Sequence, residues 1–303
     1  MSQLDNNAGI AGSSEVGDAA AAKEQAVSSA SSVNGWVVTE RTGSASDLHL
    51  RWSDRGGDNF AKSSAEWFGG RKVMAAGELS GSPALVLGSA QAKLLQQFPD
   101  QTPSSRLGRD PAHMERRTLN TESGEIEMFA RRSGGGAVYV SAGSQIWIDA
   151  WVPRDDELWH ADNIESSYWL GSAWKALLEK LGATSSEIEV HRAGASKDTL
   201  SKLICFAGVG PGEVMFAGAK VVGIAQRRDR LGSWFHSIAY LKWNPETLVD
   251  LLCRAELLDR YRGDEILGAI EHLAVGVDET GAKGPIPKGS RLARVFAAAV
   301  ASM

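Results

Sequence analysis

The most regular hydrophobic pattern runs through residues 163–181, where Leu170, Ala173, Trp174, Leu177, Leu178 and Leu181 recur at three- and four-residue intervals. That spacing lines one face of a helix, and its Trp-rich stripe is read as core packing. Asp162 and Glu165 resemble a capping box at its start, and Gly182 is placed to end it. Strict alternation appears at Gln145 to Val152, with Ile146, Ile148, Ala150 and Val152 on one side, and again at Ile126 to Arg131. Both read as strands. Pro83-Ala84-Leu85-Val86-Leu87-Gly88 is a short apolar run between breakers, the pattern of a buried strand. Further strands are expected at 203–207, 213–216, 219–226 and 234–242, then helices at 246–260, 263–273 and 290–301.

Between these lie polar stretches. Folded sequence is expected to begin at Trp36-Val37-Val38. Residues 1–33, rich in Ala, Ser, Gly, Asn and Asp, read as a disordered tail that cannot bury enough surface to offset ordering entropy. Residues 53–77 and 99–124 read as loops. The order, strands and then mostly helices, indicates an α+β domain over 36–242 and a helical C-terminal extension over 243–303.

Composition narrows the function classes. With 43% hydrophobic residues, the 303-residue chain can build a substantial core, and its net charge of −5 does not suit nucleic-acid binding. The two cysteines, Cys205 and Cys253, form neither a CxxC pair nor a zinc spacing and suit a reducing compartment. No stretch approaches the roughly 20 apolar residues of a membrane helix, and the N-terminus shows no basic start followed by an apolar run. A cytoplasmic protein with no membrane and no nucleic-acid partner is expected. The phosphate loop GxxxxGK[ST], the zinc helix HExxH, the nucleophile elbow GxSxG and the dinucleotide fingerprint GxGxxG are all missing from the sequence. No metal ligands are assigned.

Two stretches carry candidate chemistry. Arg131-Arg132-Ser133-Gly134-Gly135-Gly136-Ala137-Val138 follows a strand and precedes an apolar segment. Three glycines together suit a hairpin turn. They equally suit a cradle of bare N–H groups for an anion, with a neighbouring arginine fork. Ala219-Lys220-Val221-Val222-Gly223-Ile224-Ala225-Gln226 is an apolar strand with one lysine. In a regular strand Lys220, Val222, Ile224 and Gln226 share a face. Lys220 is either a strand-end lysine reaching solvent or an ammonium aimed at the anionic part of a substrate. Cys205, in Leu203-Ile204-Cys205-Phe206, is either inert core or, with a lysine nearby, a thiolate able to accept an acyl group. Arg227, Arg228 and Arg230 cluster beside the lysine strand, where they could steer an acidic partner.

Taken in order, Pro83-Ala-Leu-Val-Leu-Gly-Ser-Ala-Gln91, Arg131-Arg-Ser-Gly-Gly-Gly-Ala-Val138 and Lys220-Val-Val-Gly-Ile-Ala-Gln226 resemble the motifs of the lipoate-protein ligase A family. The resemblance covers about residues 36–242. It implies the α/β architecture shared with biotin-protein ligases and class II aminoacyl-tRNA synthetases, with a mixed, largely antiparallel sheet. It implies attachment of an eight-carbon acyl group to a lysine of a lipoyl domain, such as those of 2-oxoacid dehydrogenase E2 subunits or the glycine-cleavage H protein. In such ligases ATP and magnesium first give an acyl-adenylate. Lys220 then takes the role of the lysine at the reacting carboxyl. Arg131, Arg132, Ser133, Gly134, Gly135, Gly136 and Val138 would line the pocket, with Gln91, Ala225 and Gln226 nearby.

The sequence departs from the family at three places. The His-Asp-x-Gly-Asn after the glycine loop is Val140-Ser141-Ala142-Gly143-Ser144 here. The Asn-Asp or Asn-Glu pair before the lysine is Gly212-Glu213, and the double His-Gly after it is Phe235-His236-Ser237. A second branch of the superfamily uses no ATP and no other cofactor. It moves octanoate from acyl carrier protein through a cysteine to the target lysine, and one of its members carries Cys-Phe where this chain has Cys205-Phe206. A third reading is a homologue that binds an acyl-protein without turning it over.

Overall fold

A computed structural model of the chain describes residues 31–50, 70–95 and 116–303. The expectations placed on residues 1–30, 51–69 and 96–115 lie outside the described residues. In chain order the elements are β1 (Ser31–Val33), β2 (Trp36–Gly43), α1 (Ala45–Leu50), β3 (Val73–Leu79), β4 (Ala84–Leu87) and α2 (Ala92–Leu95). Next come β5 (Arg116–Thr121), β6 (Gly124–Ala130), β7 (Val138–Val140), β8 (Gln145–Pro153), α3 (Tyr168–Lys180), β9 (Ile188–Val190) and α4 (Thr199–Leu203). The chain closes with β10 (Val214–Phe216), β11 (Ala219–Arg228), β12 (Gly232–Tyr240), α5 (Pro245–Arg254), α6 (Gly263–Ile270) and α7 (Gly289–Ala301).

Among the described residues the strands form two sheets. The larger has the order β1-β2-β3-β8-β12-β11-β10-β9, the smaller β5-β6-β4-β7. Each is mixed and mainly antiparallel, with the parallel pairs β2·β3 and β4·β6. The alternation of β8 decides the layering. Ile146, Ile148, Ala150 and Val152 face a core shared with Leu170, Trp174 and Leu177 of α3 and Phe296 of α7. Trp147, one step out of phase, faces the small sheet with Val86, Phe129 and Val138. The far side of the small sheet, Leu85 and Leu87 of β4 with Met128 of β6, packs on α5 and α6. The result is four layers: helices, large sheet, small sheet, helices. The C-terminal helices therefore complete both outer layers. No helix among the described residues is long and apolar enough to cross a membrane.

The α+β class, the strands at Ala84–Leu87, Gly124–Ala130, Gln145–Pro153, Ala219–Arg228 and Gly232–Tyr240, and the helical face of α3 match expectation. Several details do not. Ser31–Val33, read as tail, is a strand, because Asn34 and Gly35 both adopt positive φ and form the two-residue turn of a hairpin onto β2. Val73–Leu79, of which residues 73–77 fell in a stretch read as loop, pairs between β2 and β8, where small side chains such as Ala75 and Ala76 fit beneath covering layers. Arg116–Thr121, also read as loop, is a polar edge strand, the composition that protects an exposed sheet edge. Residues 203–207 are the end of α4 and a 3₁₀ turn at Cys205–Ala207 instead of a strand. Four apolar residues fit either structure, and Asp198 starts the helix by accepting a 2.8 Å bond from the Ser201 N–H. Asp162 caps the Ile164 N–H at 2.6 Å ahead of a 3₁₀ turn, with no reciprocal bond from Glu165.

Candidate functional site

The glycines of the 131–136 loop are required by close packing on two sides. A Cβ on Gly88, at the end of β4, would lie 1.7 Å from the Gly135 carbonyl oxygen. A Cβ on Gly136 would lie 2.5 Å from the Ile204 nitrogen. The loop is thus pressed between the end of β4 and the turn bearing Cys205. Backbone bonds from Ser89 to Ser133 (3.0 Å), Ala137 to Leu203 (2.8 Å) and Cys205 to Ala137 (3.0 Å) lock it there. Gln91 braces the same junction. Its Oε1 accepts from the Gly88 N–H at 2.9 Å, and its Nε2 donates to the Leu203 carbonyl at 3.1 Å.

Arg131 lies inside the loop, 4% exposed. Its Nη2 donates to the carbonyls of Gly134 (2.8 Å) and Gly136 (2.9 Å), so the side chain sets the curve of its own loop. Its Nε and Nη1, and the Ser133 Oγ, are buried without a hydrogen-bond partner among the described residues. Unused buried donors are costly unless a ligand or water completes them. Arg131 and Ser133 line a small pocket together with Arg132, Arg227, Trp234, His49 and His236.

Lys220 is 2% exposed. The register of β11 explains how it reached this side. Met215 pairs with Lys220 and Val214 with Val222, so Val221 is an extra residue, a β-bulge. Past the bulge, Val222 and Ile224 face the α3 core, and Gln226 accepts from Ser166 at 2.8 Å on that same side. Lys220 instead shares a face with Gly223, whose ideal Cβ would lie 3.5 Å from its Cε. The expected common face of Lys220, Val222, Ile224 and Gln226 is therefore split, and Gln226 points away from the pocket. Ala225 pairs with His236 in register. Val138 is buried between the sheets.

The Lys220 ammonium uses all three protons. It donates to Glu213 Oε2 at 2.7 Å, to the Cys205 carbonyl at 2.8 Å and to the Gly208 carbonyl at 3.0 Å. It also stands 4.9 Å over the Phe206 ring. Glu213 in turn accepts from the N–H groups of Gly210 (2.6 Å) and Ile224 (2.9 Å). The buried charges are thus fully partnered, and the pair welds the 205–213 segment onto β11. Cys205 Sγ lies 3.9 Å from Lys220 Nζ. It is half-buried, and sits 3.6 Å from where a Cβ on Gly135 would be. Lys220 and Cys205 are not among the residues lining the pocket.

The structure adds residues that the sequence reading left unused. Asp149, fully buried in β8, accepts from Trp147 Nε1 (2.7 Å) and Arg41 Nη1 (3.0 Å), and its Oδ1 lies 2.8 Å from His236 Nδ1. His49 meets His236 at a tilt, with ring centroids 5.0 Å apart. Burial, then the neighbouring His236, Arg131 and Arg41, push the His49 imidazole well below its ordinary value, so it stays neutral. One signal was visible in sequence: an aspartate inside Ile146-Trp-Ile-Asp-Ala-Trp151 and a histidine inside Trp234-Phe-His-Ser-Ile238 are polar residues in otherwise apolar strands. Of the basic cluster expected to steer a partner, Arg227 lines the pocket, and Arg228 is bound to Asn163 and to the carbonyls of His160 and Ala161.

No protein-family profile matches the chain, and no curated protein matches it. Solved structures align with much of the chain. A bi-partite lipoate protein ligase and its E2 lipoyl domain from Thermoplasma acidophilum aligns at 12% identity and a TM-score of 0.44, covering 80% of this chain and 76% of that one. A lipoate-protein ligase A bound with ATP aligns at 13% identity and a TM-score of 0.40, covering 78% and 81%. P. falciparum LipL1 in complex with lipoate aligns at 9% identity and a TM-score of 0.36, covering 82% and 74%.

Proposed function

We propose that this protein is a lipoate-protein-ligase-type enzyme that joins lipoate or octanoate to a lysine of a lipoyl domain through an amide bond. One observation carries this reading. Three segments remote in sequence, Gly88 to Gln91, the 131–136 loop and the Cys205 turn held by Lys220, pack into one junction beside a basic pocket. They are the segments on which the sequence resemblance rests. The free Nε and Nη1 of Arg131 and the Ser133 hydroxyl suit a carboxylate or phosphate, because charge-assisted bonds complete donors that are otherwise unpaired. ATP would supply the activation of the carboxyl group, with these donors holding its phosphate. Among the described residues no three or more His, Cys, Asp and Glu side chains converge, so no side chain is assigned to magnesium.

A second reading is supported by the 3.9 Å between Cys205 Sγ and Lys220 Nζ. An octanoyl group would pass from a carrier-protein thiol to the Cys205 sulfur and then to the lysine amine, without ATP.

The deciding experiment incubates the protein and a lipoyl domain with lipoate or octanoate and ATP, following pyrophosphate and the mass of the domain. Acid-dependent pyrophosphate release with a mass gain equal to the acyl group is the expected result. A mass gain from octanoyl carrier protein alone would establish the second reading. No mass gain from either donor would leave a binding protein without turnover.

A further inference from the structure

Asp149 and His236 are directly opposite each other on β8 and β12. The carboxylate is fully buried, and Trp147 and Arg41 already donate to it. An ionised carboxylate can only accept, so His236 Nδ1 carries the proton that bridges the 2.8 Å to Oδ1. The other ring nitrogen, Nε2, is then the basic one, and it has no hydrogen-bond partner among the described residues. The ring lines the pocket that also holds the unused donors of Arg131 and Ser133. A buried acid that fixes the tautomer of an imidazole, on a ring that lines a pocket and keeps one nitrogen without a protein partner, is the arrangement of a base and its orienting group.

The acyl-transfer reading, on which this inference depends, leaves one requirement unmet by Lys220 and Cys205. The incoming lysine arrives as an ammonium, which has no lone pair. Among the described residues the charged and titratable groups around the imidazole are Asp149 from β8, Arg41 from β2, His49 from α1, Arg131 and Arg132 from the glycine loop, and Arg227 from β11. Lys220 has no free lone pair, and its protons are all engaged.

We infer that His236, positioned by Asp149, removes the proton from the acceptor lysine as it attacks the activated acyl group. In that step Nε2 takes the proton, and the freed amine lone pair forms the new nitrogen–carbon bond. The bond from the acyl carbon to its leaving group breaks, and the leaving group departs with the electron pair. The nitrogen, which entered as an ammonium, then sheds its second proton to the leaving group or solvent to give the neutral amide, and His236 returns its own proton to solvent. Asp149 touches no substrate and acts as a positioning residue.

The test follows two reactions of the full-length protein: transfer to a lipoyl domain, and capture of the activated acyl group by hydroxylamine, a nucleophile that is already neutral at pH 7. In His236→Gln the ratio of transfer to hydroxamate formation is expected to fall about 100-fold or more, with transfer climbing again as pH rises. Asp149→Asn is expected to lower the same ratio less. An unchanged ratio in His236→Gln would overturn the inference. Should that variant not fold, the wild-type pH profile decides. Transfer that levels off well below about pH 10.4, where a free lysine deprotonates, supports a base in the pocket; transfer that climbs steadily to that pH removes it. Wild-type protein that yields neither hydroxamate nor acylated domain from any donor would overturn the acyl-transfer reading, and this inference with it.

Discussion

The Nζ of Lys220 lies 2.7 Å from Oε2 of Glu213, and both side chains are almost wholly buried. Through the same ammonium the Cys205 and Gly208 carbonyls are fixed to β11. Lys220 therefore holds the shape of the site whatever else it does. Lys220→Ala leaves a buried carboxylate unpaired and is expected to cost about 3–5 kcal/mol, measured by urea unfolding. The double variant Lys220→Met with Glu213→Gln removes the lone buried charge and is expected to recover part of that stability, the Cys205 and Gly208 carbonyls and one backbone N–H staying unpaired, while transfer stays depressed at least about 100-fold. Full activity in the folded double variant would confine Lys220 to support.

The glycine loop gives a contrast between neighbours. Gly136→Ala would press a methyl group to 2.5 Å from the Ile204 nitrogen, whereas Gly134 has nothing within 4 Å of an added Cβ. Gly136→Ala is expected to lower stability by about 1–3 kcal/mol; Gly134→Ala is expected to stay within about 0.5 kcal/mol of wild type. Equal unfolding midpoints for the two would contradict the packing described for the loop.

Arg131→Lys keeps the charge and loses the fork. A lysine ammonium cannot bridge Gly134 and Gly136 while also presenting two further donors to the pocket. The Michaelis constant for the acyl substrate is expected to rise about 10-fold or more, since a hydrogen bond to a charged group contributes about 1.5–3 kcal/mol. An unchanged constant would place the anion elsewhere.

His49 predicts a pH dependence of stability. Its pKa in the folded protein is lowered below the ordinary 6.5, mainly by burial. The unfolded chain therefore binds more protons, and stability falls as pH drops below about 6.5. His49→Gln is expected to flatten that slope between pH 6.5 and the lower folded value. A slope unchanged in the variant would assign the acid sensitivity to other groups.

Phe296 tests the standing of the last helix. It is fully buried, and its ring meets Trp174 of α3 edge-on at 4.8 Å. Phe296→Ala is expected to cost about 3–5 kcal/mol in one cooperative transition. A separate, earlier transition would instead mark 243–303 as an independent extension.

Much of the fold was legible because its signals are local. Leu170 to Leu181 repeat at helical spacing, β8 alternates strictly, and β4 is an apolar run between Pro83 and Gly88. The missed strands fail for a shared reason. Ser31–Val33 and Arg116–Thr121 are polar, and Val73–Leu79 is interrupted by Ala75, Ala76 and Gly77, so apolar alternation does not mark them; the first two are set by hairpins onto β2 and β6, and the third by pairing between β2 and β8. The Asn34-Gly35 turn was a local signal that went unused.

The candidate site divides in the same way. The sequence alone determined the presence of a glycine loop beside arginines, a lysine in an apolar strand and a cysteine fifteen positions before it. Only the tertiary structure decided what faces what. One extra residue at Val221 reverses side-chain alternation, so Lys220 reaches the Cys205 turn while Gln226 turns to Ser166. Cross-strand register sets His236 against Asp149, 87 positions away. A strand pattern fixes which residues share a face only while its period holds at two, and pairing between remote strands depends on packing that no short stretch of sequence encodes.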